Sequence, residues 1–237
     1  MICHYLAVSC MSSDSANLPE PNYFSESNYS VHYRCDDFLI IYKPPRLLSV
    51  PGKGEHLFDS LLTRLQAVEP NIKLVHRLDR DTSGLMVFAL NPEAQRNISK
   101  QFEDRLTTKM YQAILLGKLT GEGSIDVPVR YEPTMPPLHV TDKLYPKKAL
   151  TDWQALDIYE INNTLVTKVL LKPITGRSHQ LRVHTQYIGH AIIGDELYAN
   201  EIGQSLMSRL CLHAAELGFN HPVTGERMSF NLDADFW

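Results

Sequence analysis

The chain has 237 residues, 43% of them hydrophobic, and a formal net charge of −4. That is enough apolar mass for one sizeable core, and it excludes a fibrous or wholly disordered chain; the mild acidity argues against a coat protein basic throughout, though not against a local basic cleft. The four cysteines, Cys3, Cys10, Cys35 and Cys211, form no Cys-x-x-Cys pair, and a chain of this size needs no disulfide staple, which points to a reducing, cytoplasmic setting.

No Lys or Arg precedes Arg34, so neither a charged secretory n-region nor an arginine-rich transit peptide is expected, and no apolar run reaches membrane-spanning length. The Ser-, Asn- and Pro-rich stretch from Met11 to Ser30 has no period, so residues 1–30 read as a flexible tail and 31–237 as one domain. Phe38 to Lys43 reads as a buried strand halted by Pro44-Pro45. Leu57, Phe58, Leu61, Leu62, Leu65 and Val68 recur at helical spacing and predict a core-facing helix over 57–68, stopped by Pro70 and Asn71.

After an apolar strand ending near Leu90, Asn91-Pro92-Glu93 predicts a capped helix running to about Arg105. Lys109 to Gly117 reads as a strand. Gly121 to Lys148, with five prolines, reads as loop and holds the basic cluster Lys143, Lys147 and Lys148. Trp153 to Tyr159 and Thr164 to Lys172 form a hairpin signature around Asn162-Asn163. Thr175 to Ser178 predicts a helix start that places His179, Arg182, Val183, Gln186 and Tyr187 on one surface, closed by Gly189. Short apolar pieces at 191–195, 210–214 and 228–232 complete a mixed α+β domain.

One stretch joins charged side chains directly to a buried strand: His76-Arg77-Leu78-Asp79-Arg80-Asp81-Thr82-Ser83-Gly84, followed by Leu85 to Leu90. The apolar half demands burial in a sheet, so the polar half is a loop on a rigid support, a natural place for function. So many charges near a core require partners, and Asp79 above all needs one.

The residues His76-Arg77-Leu78-Asp79 with Thr82-Ser83-Gly84, Lys109-x-Tyr111, the run Lys172 to His184, Gly189-His190 with Gly194-Asp195, and Leu212-His213-Ala214 occur together and in order. With them the chain resembles the RluA-type pseudouridine synthases over roughly Phe38 to Phe236, most of all the short dual-specificity members acting on tRNA and 23S ribosomal RNA. The resemblance implies a mainly antiparallel sheet with flanking helices around a catalytic cleft, and an isomerase that needs no cofactor or metal. It also implies that Asp79 is the essential carboxylate, that Arg182 pairs with it as a bidentate guanidinium, and that Tyr111 stacks on the uracil and lies near C5 as a proton acceptor. Arg77 would fill the space of the flipped base and Leu181 would line its pocket. RNA, as tRNA or 23S rRNA, is the expected partner, with Lys147 and Lys148 as phosphate contacts and the protein a monomer in the cytoplasm.

Two departures stand out. Tyr42-Lys43-Pro44 replaces the Asn-Lys-Pro of many relatives, and residues 1–37 are too few and too poor in basic side chains for the S4 RNA-binding domain that other members carry. Recognition is therefore expected within the catalytic domain.

Each residue also has a plainer reading. Asp79 caps a turn, Arg182 is a surface arginine, Tyr111 is a packing residue, Arg77 pairs with Asp81, and the lysines are a solvated face. The ten histidines show neither His-Glu-x-x-His nor zinc-finger spacing. At the level of function, an RNA chaperone or assembly factor without turnover is the alternative, and a glycosidic hydrolase using Asp79 with Asp81 is disfavoured because positions two apart cannot readily flank a sugar.

Overall fold

The computed structural model of the protein describes residues 29–237. All but the end of the tail expected over 1–30, with Cys3 and Cys10, lies outside the described residues. In chain order the elements are β1 (Ser30–Arg34), β2 (Phe38–Lys43), α1 (Leu61–Val68), β3 (Lys73–Leu74), β4 (Ser83–Ala89), α2 (Pro92–Glu103), β5 (Thr108–Leu116), β6 (Glu122–Asp126), β7 (Val129–Tyr131), β8 (His139–Thr141), β9 (Leu150–Ile161), β10 (Thr164–Pro173), α3 (Gln180–Tyr187), α4 (Glu201–Ser205), β11 (Leu212–Asn220) and β12 (Arg227–Asn231).

Ten strands form one sheet in the order β1-β2-β4-β11-β5-β10-β9-β6, with β3 added to β4 and β12 to β11, while β7 and β8 form a separate pair. All the pairings are antiparallel except that of β4 with β11. This is the mainly antiparallel α+β architecture expected, and no described helix is long and apolar enough to cross a membrane.

The unbroken apolar run of β4 is explained by helices on both faces of the sheet. Met86 and Phe88 pack with Leu39, Ile41, Leu61 and Leu65 on the α1 side. Leu85 and Val87 pack with Phe38, Ile40, Ile98 of α2 and Phe219 on the other. A strand buried on both faces has no reason to alternate. The third large cluster, around Ala113, Val169, Leu181 and Ile192, joins β5 and β10 to α3.

Local signals set several boundaries. Asn91 caps α2 by accepting the Ala94 N–H at 2.8 Å, with Pro92 at the first helical position. Asn162 and Asn163 both take positive φ, 49° and 62°, as a two-residue turn between antiparallel strands needs. Other expectations need correction. The first helix begins at Leu61 rather than at 57, because Ser60 and Thr63 exchange capping hydrogen bonds (3.2 and 2.9 Å) and fix the first turn there. Phe58, left outside the helix, and Val68, its last residue, are 65% and 64% exposed, not part of the core. α2 ends at Glu103, and the proline-rich stretch expected as loop contains β6, β7 and β8. β1, unseen in the sequence, pairs as an edge strand on β2 with only Tyr33 turned partly inward.

Gly84 sits where β4 meets its parallel partner, opposite Ala214, with φ of 120°. A Cβ there would run into the backbone oxygen and nitrogen of Ala214. Gly84→Ala should therefore destabilise the fold by about 3 kcal/mol or more, from strain and overpacking together. Urea unfolding checks this; a change under about 1 kcal/mol would mean that β4 and β11 separate easily.

Candidate active site

The loop from His76 to Thr82 enters β4 at its buried end, and three anchors hold it on either side of Asp79. Ser49 donates to the Leu78 carbonyl at 2.7 Å and accepts the Leu78 N–H at 3.1 Å. Lys43, fully buried, donates to the carbonyls of Pro44, Leu47 and Arg80 at 2.8, 2.8 and 2.9 Å. Three acceptors use all three ammonium hydrogens. Burial pushes this amine down to about 7, against the pull of Asp81 and Asp79. Beyond Asp79, the Ser83 hydroxyl lies 2.8 Å from His213 Nδ1 and accepts from Arg209, while His213 Nε2 donates to the Leu232 carbonyl at 2.9 Å. Burial pushes the His213 imidazole down to about 4, which keeps it in that neutral, directional form.

Asp79 itself retains 22% side-chain exposure, and its nearest cation is Arg182, whose Nη1 lies 3.9 Å from Oδ2. The turn-cap reading fails: the Thr82 N–H bonds to the Asp79 backbone carbonyl (3.3 Å), not to its carboxylate. The surface reading of Arg182 fails too, since the side chain is 3% exposed.

The expected bidentate pairing of Arg182 with Asp79 needs correction. Arg182 gives Nε and Nη2 to the two oxygens of Asp195, at 2.7 and 2.6 Å. Asp195 is fully buried and also accepts the N–H groups of Leu197 and Tyr198 at 2.9 and 3.1 Å. The guanidinium packs over the Tyr198 ring, 5.0 Å from its centroid. Its fork is spoken for, and Nη1 is the part that faces Asp79. Asp81 pairs with neighbouring Arg80 at 2.9 Å rather than with Arg77.

A cleft of ≈ 550 Å³ opens in front of these groups, lined among others by Arg77, Asp79, Tyr111, His179, Leu181 and Arg182. Six of the side chains singled out by sequence or position thus converge. Arg77 is exposed and makes no ion pair among the described residues. Tyr111 is wedged between two core clusters. Burial, and then the charge of Asp79, push its phenol well above its ordinary range, so it stays protonated at neutral pH and is tuned away from accepting a proton. His179, at the cap of α3 with φ of 55°, shares a 2.7 Å hydrogen bond through Nδ1 with the Tyr198 hydroxyl. Lys147 and Lys148 are exposed and outside the cleft lining, but the Lys148 carbonyl accepts Arg177 Nε at 3.1 Å, and Arg177 does line it. Lys143 is exposed on the same segment.

Among the described residues, no group of three or more His, Cys, Asp or Glu side chains converges to hold a metal ion. The cleft's cations outnumber its acids despite the negative total: Arg77, Arg105, Lys109, Arg177 and Arg182 against Asp79 and Glu103. Such a site suits an anionic ligand held beside one half-buried carboxylate. Sequence reasoning assigned no role to Lys43, Ser49, Asp195 or Tyr198. The only signal for Asp195 was its place in Gly194-Asp195, within the set of motifs that includes Arg182.

A family model described as RNA pseudouridylate synthase matches residues 37–187. The chain is 43% identical over 208 residues to a protein of Haemophilus ducreyi named dual-specificity RNA pseudouridine synthase RluA, covering 86% of this chain and 92% of that one. It is 42% identical over 207 residues to the Pasteurella multocida protein of the same name, covering 87% and 93%. Among solved structures, human RNA pseudouridylate synthase domain containing 1 superposes with a TM-score of 0.76 at 31% identity, over 89% of this chain and 85% of that chain.

The two aspartates that face Arg182 should behave oppositely. Asp195→Asn strips the buried guanidinium of its counter-charge and should cost about 3 kcal/mol or more of stability. Asp79→Asn, at a half-open site with a looser contact, should change stability by less than about 1 kcal/mol. Equal losses in denaturant titration would contradict the assignment of Asp195 as the structural partner.

Proposed function

The chain belongs to the RNA pseudouridylate synthase family, and from that membership we propose that it isomerises uridine to pseudouridine in a tRNA anticodon stem-loop and a 23S rRNA hairpin loop, with Asp79 as the catalytic carboxylate. The observation that carries the assignment of Asp79 is its position: a half-buried carboxylate in the cleft, on a backbone pinned at Leu78 and Arg80, with Arg182 Nη1 3.9 Å away. The reaction breaks the N1–C1′ bond, turns the freed uracil and joins C5 to C1′; C5 loses its proton and N1 gains one. Nothing is oxidised and no water is consumed.

Three steps are open to the carboxylate: attack on C1′, addition to the base, or removal of a sugar proton. Each needs it ionised and held in one orientation. Arg182 supplies both, and the walls of the cleft hold the detached uracil in place. The target base leaves its stack first, which costs a few kcal/mol and is easiest in a loop. Arg77, exposed and without an ion-pair partner among the described residues, fills the vacated place, while Leu181 lines the base pocket. Tyr111 stacks on the uracil. Its raised phenol leaves the C5 proton to another acceptor. Lys147 and Lys148 contact phosphates beside Arg177. We further propose a monomer in the cytoplasm, with recognition contained in residues 31–237.

RNA labelled with tritium at uridine C5 tests the chemistry. The protein should release tritium, and Asp79→Asn should lower the rate more than about a thousandfold. Release at the wild-type rate from that variant would reject Asp79, and appearance of free uracil would replace isomerisation by hydrolysis. Changing Lys147 and Lys148 together to Ala should reduce the slope of log affinity against log salt by about one to two. An unchanged slope would remove that segment from the interface.

A further inference from the structure

Two cations of the cleft, Arg105 and Lys109, have no ion-pair partner among the described residues. Neither side chain makes a hydrogen bond or ion pair with another described residue. The acids of the same turn are taken: Lys100 holds Glu103 at 3.7 Å and Asp104 at 2.9 Å. Lys109 is half-buried, and burial followed by the Arg105 charge pushes its ammonium below its ordinary value. Two like charges are thus kept together in a cleft, one of them partly stripped of water, with no ion pair to a described residue to offset the repulsion.

The backbone adds an independent observation. α2 ends in a Schellman motif, in which the Leu106 N–H donates to the Gln101 carbonyl at 2.9 Å and the Arg105 N–H to the Phe102 carbonyl at 3.3 Å. The turn is made by Arg105 itself, with φ of 61°. That left-handed position is the one glycine usually fills in this motif, and a side chain with a Cβ is strained there. Strain tolerated at the lip of a functional cleft is expected where the side chain is needed. Here the side chain that causes it is one of the two unpaired cations.

We infer that Arg105 and Lys109 form a seat for a backbone phosphate flanking the target nucleotide, and that arginine is kept in the left-handed turn for this contact although glycine would give a more stable helix end. The inference rests on the RNA reading above. A phosphodiester supplies the missing charge, the guanidinium accepts it bidentately, and the ammonium adds a point charge from deeper in the cleft. Such a contact fixes the strand's register without reading sequence, so that Asp79 meets one nucleotide and not its neighbour.

Arg105→Gly separates this from a structural role, because a brace and a strained ligand respond in opposite directions. With unmodified transcribed tRNA as the probe, the variant should melt at or up to about 4 °C above wild type. Its affinity should nonetheless weaken, with the slope of log affinity against log salt smaller by about 0.7 to 0.9. Lys109→Met should lose a similar amount of slope. Unchanged slopes in both variants, or a lower melting temperature for Arg105→Gly, would overturn the proposal. Tritium release by the wild-type protein is measured in parallel: its absence would sink the isomerase reading, while the binding slopes still decide the phosphate seat.

Discussion

Arg182 is a guanidinium almost wholly removed from water, and the site depends on how its charge is met. Asp195 meets it from behind with both oxygens, at 2.6 and 2.7 Å, and two backbone N–H groups hold Asp195 in turn. Pairing of this quality offsets a desolvation cost of several kcal/mol per ion. It also leaves the arginine no rotational freedom. One nitrogen, Nη1, faces the half-buried carboxylate of Asp79 across 3.9 Å. Contacts of this length in an unliganded site tighten when substrate excludes water, so the geometry is that of a donor aimed in advance.

The carboxylate is held as firmly as the arginine, by different means. Lys43 and Ser49 grip the backbone on each side of Asp79, and the Ser83, His213 and Arg209 network ties the end of the loop to β11 and to the segment after β12. Two of those anchors, Lys43 and Ser83, stand on the deeply buried strands β2 and β4, with α1 and α2 packed on opposite faces. The polar site is therefore an extension of the apolar core, and stiffness passes from packing to chemistry through a few hydrogen bonds. Contact with RNA falls to the exposed cations at the cleft, Arg77 and Arg105, which have no ion-pair partner among the described residues.

Much of this was legible because it is local. Asn91-Pro92, the Asn162-Asn163 turn and the apolar run of β4 each carry their instruction within a few residues. Where two local signals competed, periodicity lost: Phe58 fits the helical spacing of α1, yet the Ser60 cap starts the helix after it. β7 and β8 were hidden by prolines at their flanks. The site was legible as a set of motifs, and the cleft does gather Arg77, Asp79, Tyr111, Leu181 and Arg182. What stayed hidden was tertiary pairing. Nothing near Arg182 announces that Asp195 will take its fork, or that Asp81 will choose Arg80 over Arg77. The strain at Arg105 is equally invisible until its φ is known.

The central claim is that a guanidinium fixed by Asp195 holds Asp79 ready to react, and Arg182→Lys tests it most directly. A lysine keeps the positive charge but cannot bond to both oxygens of Asp195 and still offer a directed N–H to Asp79. Single-turnover pseudouridine formation at saturating RNA should fall by about a hundredfold or more, since the loss is one of orientation and not of charge. A lysine variant that forms pseudouridine at the wild-type rate would contradict the account.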